Sequence, residues 1–246
     1  MDPSKPILSL ETATPVCSVA LRMPDGSVLE ERAEGKGVHS EQTFVFTDRL
    51  LSGQDVRVAD LGAVIVSAGP GSYTGLRVAS SAVKGLLFGT GIPLYACSTL
   101  GAFALGARNS VFRAQTGGQA PEGVTGCETV IDARRTHLYH QSWSFTDGGA
   151  EPRSEVKVRK LQEVLDLWES GRLVVGTGLE RLRKLAAERT GQGAGKTALL
   201  PELPLEDVVS AAHIFRVLNA PGEQWTRNMI KKVAPEQFEP YYYSGL

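Results

Sequence analysis

The order of apolar and polar positions predicts three short strands at the start of the chain. They cover residues 7–11, 16–22 and 27–33, and turn signals at Thr14-Pro15 and Pro24-Asp25-Gly26 separate them. Strands so closely spaced predict an antiparallel meander. Helical and strand patterns then alternate, in the order helix 39–51, strand 61–67, helix 75–88, strand 92–97 and helix 99–107.

The second part of the chain repeats this order after residues 109–127, which we interpret as a loop or linker. The repeat comprises strands 128–133, 137–145 and 153–158, helix 161–169, strand 173–176 and helix 179–189, followed by helix 205–218 and an irregular tail. An acid ends the first strand of each half, at Glu11 and Asp132, and a later strand of each half runs into Gly-x-Gly. This repeat predicts two related lobes, 1–108 and 128–246.

A meander followed by alternating helices and strands, present twice, is the order of the duplicated ribonuclease-H-like fold of actin, Hsp70 and the sugar kinases (the ASKHA fold). We therefore predict an α/β protein with two lobes of this fold. Enzymes of this architecture hold nucleotide between the halves, and the acid after the first strand holds a metal-bound phosphate. Here Glu11 replaces the usual shorter aspartate, so the sequence predicts an incomplete catalytic set.

The segment 69–77 passes from an apolar strand into a helix through three glycines, which permit φ > 0 and a close approach of the backbone. Its spacing is one residue longer than the dinucleotide fingerprint, and Leu76 stands where a P-loop has its lysine. Candidates for a residual nucleotide or phosphate site are Glu11, Thr12, Gly71, Ser72 and Thr74. The structural alternative is that Glu11 binds local amides and that residues 72–74 cap the helix.

Several segments together resemble the TsaB family, also called YeaZ. They are residues 7–14, residues 17–21, His39-Ser40-Glu41, the loop 69–77 and Ile131-Asp132-Ala133-Arg134. The match is good in the N-terminal part and looser in the second half, and the loop 69–77 is its most specific motif. The chain differs from the family pattern at residues 135–137 and in the Tyr241-Tyr242-Tyr243 tail.

The resemblance implies a noncatalytic subunit of the bacterial machinery that makes threonylcarbamoyladenosine beside the tRNA anticodon. The implied partners are the catalytic paralogue TsaD and the ATPase TsaE, with tRNA reached through the complex. The resemblance also implies that helices 39–51 and 75–88 pair with TsaD, or with a second copy of this chain. No intrinsic cofactor is expected, and ATP or ADP would bind at a subunit junction.

Both of these helices carry apolar residues on more than one side, which indicates contact with a partner as well as with the sheet. In helix 39–51, Phe44 and Leu51 share one side, while Phe46 and Leu50 lie nearly opposite. The predicted interface consists of His39, Glu41, Phe46, Leu50, Tyr73, Arg77, Val78, Ser81 and Ala82. The alternative is that both helices are covered within the chain itself.

No intrinsic metal site is predicted. The catalytic paralogue uses two histidines spaced i, i+4 on the helix after the meander, and here Thr43 stands four residues after His39. His39 is therefore expected to pack or to form a local hydrogen bond.

Composition limits the function classes. The 246 residues, 42% of them hydrophobic, can bury one large core or two modest ones. A net charge of −1 argues against binding nucleic acid through bulk charge alone. Three scattered cysteines, no secretory segment and no membrane-spanning run predict a soluble protein of the reducing cytoplasm.

A kinase of a small metabolite is the alternative function, with Glu11 and Asp132 as its carboxylates. That reading needs an adenosine loop and an acceptor pocket, and the sequence indicates neither. A protease is rejected, because residues 70–74 do not form a G-x-S-x-G elbow and no activating base is evident.

Overall fold

The computed structural model describes residues 1–2, 4–35, 37–115, 123–146, 149–168, 171–190, 209–215 and 229–243. The chain divides into two compact units. The first unit contains Met1–Thr99 and Val209–Tyr242, and the second contains Leu100–Val208 and Tyr243–Leu246. Each unit has its own β-sheet.

The elements follow one another in the order that the sequence predicts, with a few exceptions given below. The strands are β1 (Ile7–Glu11), β2 (Val16–Arg22), β3 (Val28–Glu34), β4 (Ala63–Ser67), β5 (Leu94–Cys97), β6 (Gly126–Asp132), β7 (His137–Thr146), β8 (Gly149–Pro152), β9 (Lys157–Lys160), β10 (Arg172–Val175) and β11 (Ile230–Val233). The helices are α1 (Val38–Gly53), α2 (Tyr73–Leu87), α3 (Thr99–Gln115), α4 (Leu161–Leu167), α5 (Leu179–Thr190) and α6 (Ala211–Ile214). Short 3₁₀ turns lie at Val58–Asp60 and Pro235–Gln237.

The first unit has a six-stranded sheet in the order β11-β5-β4-β1-β2-β3. Strands β1 to β3 form the predicted antiparallel meander, and β4 and β5 run parallel to β1. Helices α1 and α2 cover one face of this sheet, because their apolar sides join a single core with the strands. That core includes Leu8 and Leu10 of β1, Val64 and Val66 of β4, Phe46, Leu50 and Leu51 of α1, and Ala79, Val83 and Leu87 of α2.

The second unit repeats this arrangement with strand order β10-β6-β7-β8 and with β9 also paired to β7. Strands β6 and β7 are antiparallel, and β10 runs parallel to β6 as β4 does to β1. A core of Val130, Leu138, Val164, Trp168, Val174 and Leu182 joins the sheet to α4 and α5. The predicted α/β fold with two related lobes is confirmed.

Two predicted elements are wrong. Helix 99–107 continues as α3 to Gln115, so residues 109–115 of the predicted linker are helical; residues 108–115 contain no glycine or proline that would end it. Residues 116–122 of that linker lie outside the described residues. The predicted strand 153–158 is replaced by β8 and β9, because Arg153 N–H donates to Ser142 O and Ser154 Oγ accepts the N–H of Ser142, which bends the chain there.

The end of the chain also differs from the predicted division into lobes. Residues 230–233, expected to be irregular, form strand β11 at the edge of the first unit's sheet, paired antiparallel with β5. Residues 209–242 thus belong to the first unit. Of the predicted helix 205–218, Ala211–Ile214 is helical as α6, and residues 205–208 and 216–218 lie outside the described residues. None of the described helices is long and apolar enough to cross a bilayer.

Two glycines of α2 test why glycine is required at the end of the loop 69–77: Gly75 belongs to the loop, and Gly85 lies farther along the helix. A Cβ atom at Gly75 would lie 2.0 Å from the backbone oxygen of Thr12, whereas one at Gly85 would meet nothing within 4 Å. We expect Gly75→Ala to lower the free energy of unfolding by about 2 kcal/mol through overpacking. Gly85→Ala should raise it by about 1 kcal/mol through helix propensity.

Denaturant unfolding of the two variants measures the difference. Stabilisation by both substitutions would show that the close approach of α2 to β1 does not constrain residue 75.

Candidate partner-binding site

The first candidate residues lie where β1 ends. Glu11 is buried, and its carboxylate accepts hydrogen bonds from the Ala13 N–H at 2.7 Å and from the Ser67 hydroxyl. Burial raises the pKa of Glu11 to about 7, and these two hydrogen bonds lower it only in part. The Thr12 hydroxyl donates to the backbone oxygen of Gly75 at 2.9 Å. Both side chains therefore bind groups inside the chain.

The glycine loop is built by close contacts between backbones. A Cβ atom at Gly71 would lie 2.3 Å from Ala13 O, and Gly69 has φ +109°, a conformation that favours glycine. Several loop amides already have partners: Gly69 N–H donates to Thr99 Oγ1 and Ser72 N–H donates to Ala13 O. A phosphate cradle needs such amides free to bind an anion.

The structure thus brings Glu11, Thr12, Gly71 and Ser72 together around the end of β1. Ser72 is the N-cap of α2, and its hydroxyl accepts the N–H of Gly75 at 3.3 Å. The contacts of Glu11 and Ser72 are those of the structural alternative, while Thr74 is exposed. Nucleotide or phosphate binding by these residues stays a prediction.

His39 forms a hydrogen bond, but with a residue 25 positions away in the sequence rather than a local one. Its Nε2 lies 2.7 Å from Thr14 O, while the Thr43 hydroxyl one turn later donates to His39 O at 2.6 Å. Among the described residues, no group of three or more His, Cys, Asp or Glu could hold a metal ion. The three cysteines are buried, and burial raises the pKa of each thiol.

Helices α1 and α2 expose a joint surface on the side away from the sheet. On α1 the exposed residues include Glu41, Phe44 and Val45, with Phe44 54% and Val45 43% exposed. On α2 Tyr73, Arg77 and Ser81 are exposed, and Val78 is half-buried. We call these seven residues the α1–α2 surface. Uncovered apolar side chains on two neighbouring helices are typical of a protein interface.

Three residues predicted for the interface lie elsewhere. Phe46, Leu50 and Ala82 are buried in the core of the first unit. The prediction that they belong to the partner surface is therefore wrong. The inward side of α1 also contains Thr43 and Thr47, whose hydroxyls donate to the backbone oxygens one turn earlier. Because these two threonines interrupt the apolar side, the hydrophobic pattern pointed to the wrong face.

The tail adds residues that the sequence did not predict as part of the surface. Tyr242 lies against Tyr73, with ring centroids 5.4 Å apart, and the Arg77 guanidinium lies 5.4 Å from the Tyr73 ring centroid. Arg77 also donates to the Tyr73 hydroxyl at 2.8 Å. Tyrosine and arginine are enriched where protein interfaces bind most strongly.

Hydrogen bonds and an ion pair hold residues 238–241 of the tail against α2 and the end of β4. The Ser80 hydroxyl donates to Phe238 O at 3.1 Å, and Lys84 forms an ion pair with Glu239 at 3.0 Å. Tyr241 N–H donates to Ala68 O at 2.7 Å, immediately before the glycine loop. The Tyr-rich run is visible in the sequence, but the contact between Tyr242 and Tyr73 joins positions too distant for any local pattern to indicate.

The fold and these two helices define a protein of the actin-like class with an exposed helical surface. The chain belongs to the family described as "TsaD: tRNA N6-adenosine threonylcarbamoyltransferase", whose model matches residues 32–192. Escherichia coli K12 "tRNA threonylcarbamoyladenosine biosynthesis protein TsaB" is 27% identical over 190 residues, 74% of this chain and 75% of the relative. The Bacillus subtilis protein of the same name is 28% identical, over 58% of this chain and 56% of the relative.

Solved structures show the same fold. YeaZ from Pseudomonas aeruginosa has a TM-score of 0.72 at 24% sequence identity, and the match covers 97% of this chain and 100% of that one. The resemblance to TsaB (YeaZ) stated from the sequence motifs is confirmed.

Proposed function

We propose that this chain takes part in the synthesis of threonylcarbamoyladenosine in tRNA, as a noncatalytic subunit that binds a TsaD-like catalytic subunit through the α1–α2 surface. The observation that carries the proposal is the exposure of Phe44 and Val45 on α1 and of Tyr73 and Arg77 on the neighbouring α2. The names of the relatives supply the process, and membership of the TsaD family supplies the class of partner.

The proposal includes the statement that this chain does not itself catalyse a reaction. An actin-like phosphotransfer site needs an acid that can reach a metal-bound phosphate, but the Glu11 carboxylate is buried and bonded to Ser67 and Ala13. The amides of Gly69 and Ser72 are used within the chain as well. These contacts favour a scaffold over the kinase alternative, which titration of the isolated chain with Mg-ATP tests: tight binding would support the kinase.

In this proposal the chain acts by population shift, because binding at the α1–α2 surface stabilises the competent conformation of the TsaD-like subunit. The same surface can pair with a second copy of the chain when that subunit is absent. A TsaE-like ATPase and tRNA join through the complex, and ATP or ADP binds at a junction between subunits.

Two valines with nearly equal exposure provide a matched test of the surface. Val45 on α1 is 43% exposed and Val28 on β3 is 44% exposed. We expect Val45→Asp to weaken binding of the TsaD-like subunit about 100-fold, because a charge buried in an interface without a partner costs several kcal/mol. Val28→Asp should leave the affinity unchanged. Calorimetric titration of each purified variant with the TsaD-like subunit measures both values.

Reconstituted tRNA threonylcarbamoylation then tests the function itself. Turnover should need this chain and should fall with Val45→Asp but not with Val28→Asp. Equal affinities for the two variants would place the interface elsewhere, and unchanged turnover without the chain would refute the scaffold.

A further inference from the structure

The second unit contains a surface pocket of about 200 Å³ lined by residues of β6, β7 and β9. Its lining consists of Glu128, His140, Ser142, Arg153, Ser154, Arg159 and Leu167. A water molecule occupies about 30 Å³ of liquid volume, so the pocket is larger than one bridging water requires. Neither the α1–α2 surface nor the glycine loop contributes a residue to it.

The acid in this pocket is already compensated. The Glu128 carboxylate accepts hydrogen bonds from Arg172 Nε at 2.6 Å, from His140 Nε2 at 2.7 Å and from the Ser142 hydroxyl at 2.8 Å. Burial acts to raise the pKa of Glu128, but these hydrogen bonds outweigh it and the pKa is lowered. Because Arg172 balances the charge of Glu128, the carboxylate is not a net repulsive charge for an anion.

Two buried nitrogen atoms of the lining have no partner. His140 is 3% exposed, and neither its Nδ1 nor the Nε of Arg159 has a hydrogen-bond partner among the described residues. Arg159 pairs in register with Leu138, two residues before His140 on β7, so the side chains of His140 and Arg159 lie on the same face of the sheet. Because Nε2 donates to Glu128, Nδ1 of a neutral His140 is an acceptor, whereas the Nε–H of Arg159 is a donor. A buried polar group without a hydrogen bond is costly, which favours a ligand that carries both a donor and acceptors, as a hydrogen phosphate does with its P–OH and its unprotonated oxygens.

The remaining lining suits an anion. Arg159 adds a positive charge to a pocket whose acid, Glu128, is neutralised by Arg172. The Ser154 hydroxyl accepts the N–H of Ser142 at 3.1 Å, and among the described residues its hydrogen has no acceptor. Guanidinium and hydroxyl donors around a small cavity match the oxygen atoms of a phosphate group.

We propose that this pocket binds a phosphate-class oxyanion, held by Arg159 and Ser154 with His140 at its base. The phosphate would be either free or carried as a monoester on a nucleotide, since the lining recognises the oxygen atoms alone. Binding here is independent of the proposed function at the α1–α2 surface.

Inorganic phosphate is the probe, and neighbouring residues of β9 provide the variants. Arg159→Gln removes one charge from the pocket, while Lys160→Gln removes the same charge on the opposite face of the strand. Calorimetric titration of the full chain should show saturable phosphate binding that Arg159→Gln weakens about tenfold and Lys160→Gln leaves unchanged. Unfolding curves without phosphate test whether both variants are folded. If Arg159→Gln does not fold, the ¹⁵N chemical shift of the His140 ring in the native chain reports phosphate binding instead.

A parallel titration with adenosine monophosphate distinguishes the sources. Tighter binding of the nucleotide than of phosphate, with the same loss in Arg159→Gln, identifies a carried phosphate; equal binding identifies the free ion. The proposal fails if neither probe binds saturably, or if the two variants bind phosphate equally well and the His140 ring signal does not move.

Discussion

Replacing Arg172 with methionine is expected to lower the free energy of unfolding of the second unit by about 4 kcal/mol, because it leaves the carboxylate of Glu128 buried without its ion-pair partner. The Arg172 side chain is 2% exposed, and its Nη2 donates to the backbone oxygens of Cys127 and Trp143 at 3.1 and 2.8 Å. The substitution therefore also removes two hydrogen bonds to backbone oxygens of β6 and β7. Denaturant unfolding followed by tryptophan fluorescence measures the loss, since Trp143 and Trp168 both lie in this unit.

An exposed ion pair in the same unit provides the control. Arg181 pairs with Asp132, and both side chains are partly open to solvent. Arg181→Met should cost less than about 1 kcal/mol, because solvent screens exposed pairs. Equal losses for the two variants would mean that the Arg172 pair is no more important than a surface contact.

Replacing Glu11 with glutamine is expected to change the dependence of stability on pH. Burial raises the pKa of Glu11 from 4.5 to about 7 in the folded chain, so between these values the folded state binds more protons than the unfolded state. The free energy of unfolding of the native chain should therefore fall as pH rises through this window and level off above it. The shift corresponds to about 3 kcal/mol, and the glutamine side chain of the Glu11→Gln variant does not titrate.

The measurement is the difference in stability between Glu11→Gln and the native chain at pH 5 and pH 8. This difference should move in favour of the variant by about 2.5 kcal/mol across the interval, since a small part of the effect falls below pH 5. Asp25→Asn is the control, because hydrogen bonds from Ser27 lower the pKa of this exposed carboxyl and it stays ionised throughout. A difference independent of pH for Glu11→Gln would show that the carboxyl is ionised in the fold at pH 5.

Local patterns predicted most of the fold. The alternation in β1 to β3 and the helical periods of α1, α2 and α5 each depend on nearby residues, and the repeat of the same order indicated the duplication. Strand β11 could not be predicted, since the pairing of Ile230 with Cys97 joins distant parts of the chain. Helix α3 was cut short in the prediction because the glycines, glutamines and proline of residues 109–126, which show no periodicity, were interpreted as one loop.

The candidate site was predicted in part. The two helices and the exposed positions Glu41, Tyr73, Arg77 and Ser81 were named from the sequence, but Phe46 was placed on the wrong side of α1. Hydrogen bonds of the kind that Thr43 makes within its own helix are not visible in a hydrophobic pattern. The neighbours of Tyr73 in the tail, like the donors around Glu128, depend on tertiary contacts.

The return of residues 229–242 to the first unit has a consequence for synthesis. The ribosome makes β1 to β5 before residues 100–208, yet the edge strand beside β5 and the hydrogen bonds of Phe238 with α2 and of Tyr241 with Ala68 need residues that are translated after them. The nascent first unit therefore has an open sheet edge and an unfinished surface around Tyr73. In the proposed complex, the part of the surface around Tyr73 and Tyr242 would therefore be complete only after residues 229–242 have left the ribosome.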